Sequence, residues 1–239
     1  MKSFCDKHPL GFAMLWILLY VNCSSLADLL SRSIGVEKLF TFPVHLLLCL
    51  LLFTWLRRNG LMAKFGLCRP KLDARSFLWY IPLGLIVSCN AWFGLQMNMS
   101  MGESLLYLGS MLCVGFLEEV IFRGLLFKAI CSDSLKSAVI ISSLSFAVGH
   151  IVNLFNGSGM ALVSNICQIF YAFSAGLLFV LIFLRSGSLL PCIACHSALN
   201  ALSTFAIQPE LSGEILSAVL LCIICLVYAL YIRRITSYK

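Results

Sequence analysis

The chain is built from eight long apolar runs, each of 18 residues or more: Leu10–Leu30, Leu39–Leu56, Phe77–Met97, Ser104–Cys131, Ser137–Leu154, Ala161–Leu184, Leu189–Ile207 and Ile215–Ile232. A run of that length with few charges matches the hydrocarbon thickness of a bilayer. Inside a bilayer the backbone must satisfy its own hydrogen bonds, so such runs are expected to be helices. Composition agrees. Hydrophobic residues make up 61% of the chain and charged ones 11%, against about 25% charged in an average soluble domain. A soluble fold of this size keeps too much surface to hide so much apolar side chain. The expected class is therefore an all-α polytopic membrane protein of about eight transmembrane helices. Its segments are three N-terminal spans over 1–103, a core of spans four to seven over 104–207, and a last span with a basic tail over 208–239.

The excess of basic residues, 17 Lys and Arg against 10 Asp and Glu, is topological and does not form a nucleic-acid face. With eight crossings and the N-terminus inside, Lys2, Lys7, Arg57, Arg58, Lys64, Arg69, Lys71, Arg75, Lys128, Lys136, Arg185, Arg233, Arg234 and Lys239 fall on one side. Arg32 and Lys38 fall on the other, with Glu37, Glu103, Glu210 and Glu214. The positive-inside rule then predicts both termini in the cytoplasm. The basic stretch Arg57–Arg75 reads as an anchor to anionic headgroups of the lipid bilayer, with a substrate-guiding surface as the alternative. The first run also fits a signal peptide, but it is long and has a poor cleavage site, so it is expected to be a span.

The twelve cysteines lie mostly inside apolar runs, as small hydrophobes do. Cys192-Ile-Ala-Cys195-His196 matches a haem-attachment string and Cys222-Ile-Ile-Cys225 a redox string. Neither has the surroundings that chemistry needs. Asn98-Met-Ser100 and Asn156-Gly-Ser158 fit the glycosylation pattern, as many unrelated sequences do.

The informative residues are the polar ones within spans. The fourth run carries Glu118, Glu119 and Arg123. At about 3 kcal/mol for each charge near the midplane they cost roughly 9 kcal/mol, much for packing alone. Glu119 and Arg123 are four apart and form a pair within one turn. Glu118 is rotated by about 100° from Glu119, so it is expected to point elsewhere and to act as a proton acceptor or donor. In the fifth run Phe146 and His150 share a face, with Asn153 beyond. In the seventh, Cys192, His196 and Asn200 form one stripe. His196 and Asn200 can bind a metal, donate two hydrogen bonds to a developing oxyanion, or simply bond neighbouring helices. His45, in the second run, reads as a satisfied packing histidine.

Glu118-Glu119-x-x-x-Arg123, Phe146-x-x-x-His150 and His196-x-x-x-Asn200, in that order on separate spans, resemble the CPBP family of intramembrane endopeptidases. That family includes the type II CAAX prenyl proteases. The resemblance covers about Ser104–Phe205. It implies proteolysis: Glu118 activates water with help from His150, and His196 and Asn200 stabilise the tetrahedral oxyanion. Glu119, Arg123 and Phe146 support them. Both metal-dependent and glutamate–water mechanisms have been assigned to the family. The chain has no His-Glu-x-x-His helix, the strong zinc signal, so no cofactor is expected. A divalent metal such as zinc, held by Glu118, His150 and His196, is the alternative. The expected partner is a membrane-associated peptide or lipidated protein substrate. The expected location is multi-pass, in the cytoplasmic membrane of a bacterium or the endoplasmic reticulum membrane of a eukaryote. Two rival readings are a non-catalytic scaffold or bacteriocin-immunity protein, and a proton-coupled transporter. Against the transporter, no inverted repeat and no paired broken helices are visible in the sequence.

Overall fold

The computed structural model describes residues 1–235, so the basic residue Lys239 lies outside the described part. Among the described residues ten α-helices follow in order: α1 Lys2–Lys7, α2 Pro9–Ile34, α3 Thr41–Arg58, α4 Ile81–Ser88, α5 Met101–Glu118, α6 Phe127–Cys131, α7 Leu135–Gly149, α8 Leu162–Ser186, α9 Leu190–Ser203 and α10 Leu211–Arg234. Short 3₁₀ stretches cover Ala74–Tyr80, Cys89–Ala91 and His150–Leu154. Between α5 and α6 the chain stays helical but takes the wider π form over Glu119–Leu126.

The ends of these helices follow local chemistry. Pro9 begins α2, where its missing N–H costs nothing. Gly35 and Gly187 end α2 and α8 in the left-handed region that a side chain resists. Ser100 and Glu103 cap each other at the start of α5. The Ser134 hydroxyl accepts from the Ser137 N–H to start α7.

Six of these helical segments are long and apolar enough to cross a membrane: Pro9–Ile34, Thr41–Arg58, Met101–Cys131, Leu135–Leu154, Leu162–Ser186 and Leu211–Arg234. The expectation of eight continuous helices is corrected at two runs. Phe77–Met97 holds only the eight-residue α4, and Leu189–Ile207 holds the 14-residue α9. α4 runs on into the 3₁₀ turn Cys89–Ala91, and beyond Ala91 and Ser203 the two segments leave helical form. The reason lies in the backbone rather than in hydropathy. Leu78, Trp79 and Tyr80 sit at positive φ before α4, Pro82 lies at its start, and Gly94 takes φ 99° after it. Neither Pro nor a left-handed residue continues a helix.

The two non-helical legs satisfy each other. Gln96 N–H donates to Phe205 O at 2.8 Å, and Ile207 N–H to Gly94 O at 3.1 Å. Leu95 and Ala206 form an isolated antiparallel bridge. Asn98 donates to Thr204 O and Ala206 O, and Asn90 to Leu199 O. The two legs thus pair part of the backbone that each leaves outside a helix, as irregular chain in an apolar setting requires. Paired broken segments do exist, contrary to the sequence reading.

The loops segregate into two ends. At one, Lys64 meets Asp6, Lys71 N–H donates to Ser186 O, Lys128 lies over Phe183, and Tyr228 donates to Phe77 O. At the other, Arg32 donates to Asn156 O, Glu37 N–H to Glu103, and Ser164 to Glu214. α8 lies between two cores, packing on α7 and α10. Tyr171 of α8 touches both of them, one built on α2, α3 and the π segment, the other on α4, α9 and α10.

Candidate active site

Glu118 is the last residue of α5, and the π segment begins at Glu119. π turns are rare in proteins and concentrate at functional sites. Every residue of this one is buried, Glu119 and Arg123 completely so. Arg123 Nη1 donates to Glu119 Oε1 at 3.0 Å, the i,i+4 pair expected from spacing.

His196 comes to the same carboxylate from α9. Its Nδ1 lies 2.8 Å from Glu119 Oε1. A carboxylate paired with Arg accepts, so Nδ1 carries the proton. The other ring nitrogen, Nε2, lies 3.6 Å from Glu118 Oε2. The expectation that the two glutamates diverge is therefore corrected: Glu118 lacks an Arg partner, but both carboxylates face one imidazole, from its two sides. A step of about 100° between neighbours holds for a regular α-helix, and the π segment starts between these two residues.

This approach depends on Gly115. A Cβ there would overlap the Ser197 hydroxyl and lie 2.6 Å and 2.7 Å from the Ser197 N and Cα. The missing side chain lets α5 and α9 touch backbone to backbone, one residue from His196. Gly176 of α8 acts similarly beside Arg123: a Cβ would lie 3.3 Å from Nη2 and 3.2 Å from Ser143.

Phe146 ties the second histidine in. Its ring stands edge-on to His150 at 5.1 Å and to His196 at 5.7 Å. The Arg123 guanidinium lies 4.0 Å over its face. His150 opens the 3₁₀ turn after α7, and its Nδ1 bonds Phe146 O at 3.0 Å, which leaves Nε2 free of that bond. Asn165 of α8 steadies the turn by donating to His150 O at 2.8 Å. Asn200 lies one turn beyond His196 on α9 and is half-buried. Glu118, Glu119, Arg123, Phe146, His150 and His196 are thus gathered, the last two through a shared ring. Asn200 shares α9 with His196.

Sequence reasoning misses Tyr20. Its hydroxyl donates to Glu118 Oε1 at 2.7 Å from α2. The two residues are 98 apart, and no local pattern joins them. His45 behaves as expected, with Ser24 and Ser110 hydroxyls each 2.9 Å from one ring nitrogen.

Among the described residues no group of three or more His, Cys, Asp and Glu side chains is placed to hold a metal ion. Glu118 accepts from Tyr20, His196 Nδ1 is engaged by Glu119, and the Phe146 ring stands against both imidazoles.

Residues 100–202 match the model of a family described as "Type II CAAX prenyl endopeptidase Rce1-like". The resemblance to the CPBP family of CAAX proteases is thereby shown. The matched stretch contains all three motifs. Together with the six long apolar helices it makes the chain an integral, multi-pass membrane protein. No curated protein matches the chain.

Proposed function

We propose that the chain is an intramembrane endopeptidase that hydrolyses a peptide bond in a membrane-associated or lipidated substrate. The family description names a CAAX prenyl endopeptidase, which supports the C-terminal tail of a prenylated protein as the substrate class. The observation that carries the reading is the row Arg123, Glu119, His196, Glu118, in which one imidazole stands between two carboxylates deep in an apolar bundle.

The chemistry follows from that row. Glu118 takes a proton from water as the water oxygen attacks the scissile carbonyl carbon, and His150 helps to hold the water through Nε2. The carbonyl oxygen becomes an oxyanion, stabilised by N–H groups of His196 and Asn200. For Nε2 of His196 to donate while Nδ1 stays bonded to Glu119, the ring carries both protons, and Glu119 is its counter-charge. Glu119 thus orients and supports an imidazole, as the buried aspartate does in a serine-protease triad. When the tetrahedral intermediate collapses, the C–N bond breaks and the proton on Glu118 passes to the leaving amine.

The same reading includes a topology. The broken segments 81–99 and 190–207 complete the crossings, which gives eight, and the basic end of the bundle lies in the cytoplasm. Their legs bond one another backbone to backbone, whereas a transporter turns such groups toward its substrate or ion.

The test is Glu118→Gln in purified full-length protein. It keeps shape and removes the base, so cleavage of a prenylated tail peptide should fall by about 10²-fold or more, with thermal stability nearly unchanged. Mass spectrometry of peptides released from membranes should show products for the wild type only. Glu118→Gln with near-normal turnover would sink the assignment.

A further inference from the structure

We infer that Tyr20, on the first long helix and outside the segment matched to the family, is a positioning residue for the catalytic carboxylate. The inference rests on the reading of Glu118 as the base. A glutamate side chain has three torsions and two equivalent oxygens. A base must present one of them in a fixed direction. The Tyr20 hydroxyl donates to Oε1 at 2.7 Å, and Oε2 is then the oxygen turned toward His196 Nε2, 3.6 Å away. A neutral phenol can hold an ionised carboxylate without neutralising it, as an Arg or Lys would. The two adjacent glutamates thus have different fixed partners: Glu119 the Arg123 guanidinium and Glu118 the phenol.

Tyr20 is itself held. It is buried in α2, where that helix packs on the π segment. Its ring lies 5.8 Å from the His45 ring of α3. His45 is clamped on both nitrogens, by Ser24 one turn along α2 and by Ser110 two turns before Glu118 on α5. The clamp joins α2, α3 and α5, so the distance from the Tyr20 backbone to the Glu118 backbone is set by packed helices. A side chain with only a packing role would not need its one polar atom at the end of that chain of contacts.

The test is Tyr20→Phe in the full-length protein, assayed on a prenylated tail peptide. Removing one hydrogen bond to an ionised group should lower kcat by about 10-fold, with KM within about twofold and Tm nearly unchanged. In a Glu118→Asp background the carboxylate is withdrawn by one methylene from the hydroxyl, so Tyr20→Phe should cost under about twofold there. 4-Fluorophenylalanine at position 20 fills the hydroxyl's place without donating and gives the same comparison if Tyr20→Phe does not fold. Three results overturn the inference while leaving the base assignment intact, provided Glu118→Gln is inactive. They are normal kcat in Tyr20→Phe, a loss confined to Tm, and equal kcat losses in the wild-type and Glu118→Asp backgrounds. If Glu118→Gln keeps its turnover, the base assignment fails, and the positioning role with it.

Discussion

Gly115→Ala is the most direct test of how the fold makes the site. The new Cβ would lie 2.6 Å from the Ser197 nitrogen, where ordinary van der Waals contact begins at 3.4 Å. Backbone atoms cannot rotate away, so α5 and α9 must separate by about 0.8 Å or shear by as much. His196 is the residue before Ser197, and its 2.8 Å bond to Glu119 would lengthen toward about 3.6 Å, where it is no longer a hydrogen bond. Overpacking costs about 1–3 kcal/mol. Ala in place of a mid-helix Gly returns up to about 1 kcal/mol. The net loss of stability should be modest, about 0–2 kcal/mol. A displacement near 1 Å at the chemistry costs about 10²-fold in rate. The expected signature is therefore a large fall in kcat/KM with a small fall in Tm, read on prenylated tail peptide and by thermal denaturation in detergent. Gly102→Ala is the control on the same helix: nothing lies within 4 Å of its Cβ position, and neither quantity should fall. Gly115→Ala protein within about threefold of wild-type turnover and with unchanged Tm would refute the claim that this crossing sets the site.

Three further outcomes are expected. Glu119→Gln leaves Arg123 buried without its carboxylate and His196 without an ionised acceptor, so it should lose about 3–5 kcal/mol of stability and also turnover per folded molecule. A variant with intact Tm and rate would refute that role. Activity should persist after stringent chelation; stoichiometric zinc whose removal abolishes activity and whose return restores it would decide the opposite. In a background with the native cysteines replaced, Asp73→Cys should resist an impermeant reagent outside intact cells and Ser158→Cys should react; labelling at 73 from outside would reverse the proposed orientation.

Six of the eight apolar runs carry long helices because each is apolar over a full membrane width and has its breakers at its ends. Phe77–Met97 misleads because hydropathy counts side chains and not backbone. Its Pro82, Asn90 and Gly94 are the visible signs of a break. What repairs that break, the legs at 94–98 and 204–207 bonding each other, lies over 100 residues away in sequence. The pairing of Glu119 with Arg123 is legible because it is local. The shared imidazole is not, because it needs α9 to approach at Gly115 and the helix to change form after Glu118. Tyr20 is invisible for the same reason, since its only signal is a contact between helices.

The three motifs carry more than their polar ends. A fully buried guanidinium needs both a counter-charge and something in place of its hydration. Glu119 supplies the first through one bond, and Nε and Nη2 of Arg123 have no protein acceptor. Two aromatic faces cover the cation instead, Phe146 at 4.0 Å and Phe179 at 5.7 Å. An aromatic face attracts a desolvated cation by about 2 kcal/mol or more. The Phe146 ring that does this also stands edge-on to His150 and His196. Its negative face therefore meets the cation while the two imidazoles pack around it. Phe146 thus joins the charge pair of the first motif to the histidines of the second and third. A phenylalanine one turn before His150 is where the chain needs an aromatic, since an aliphatic side chain there would pack as well but leave Arg123 poorly solvated and both rings less constrained.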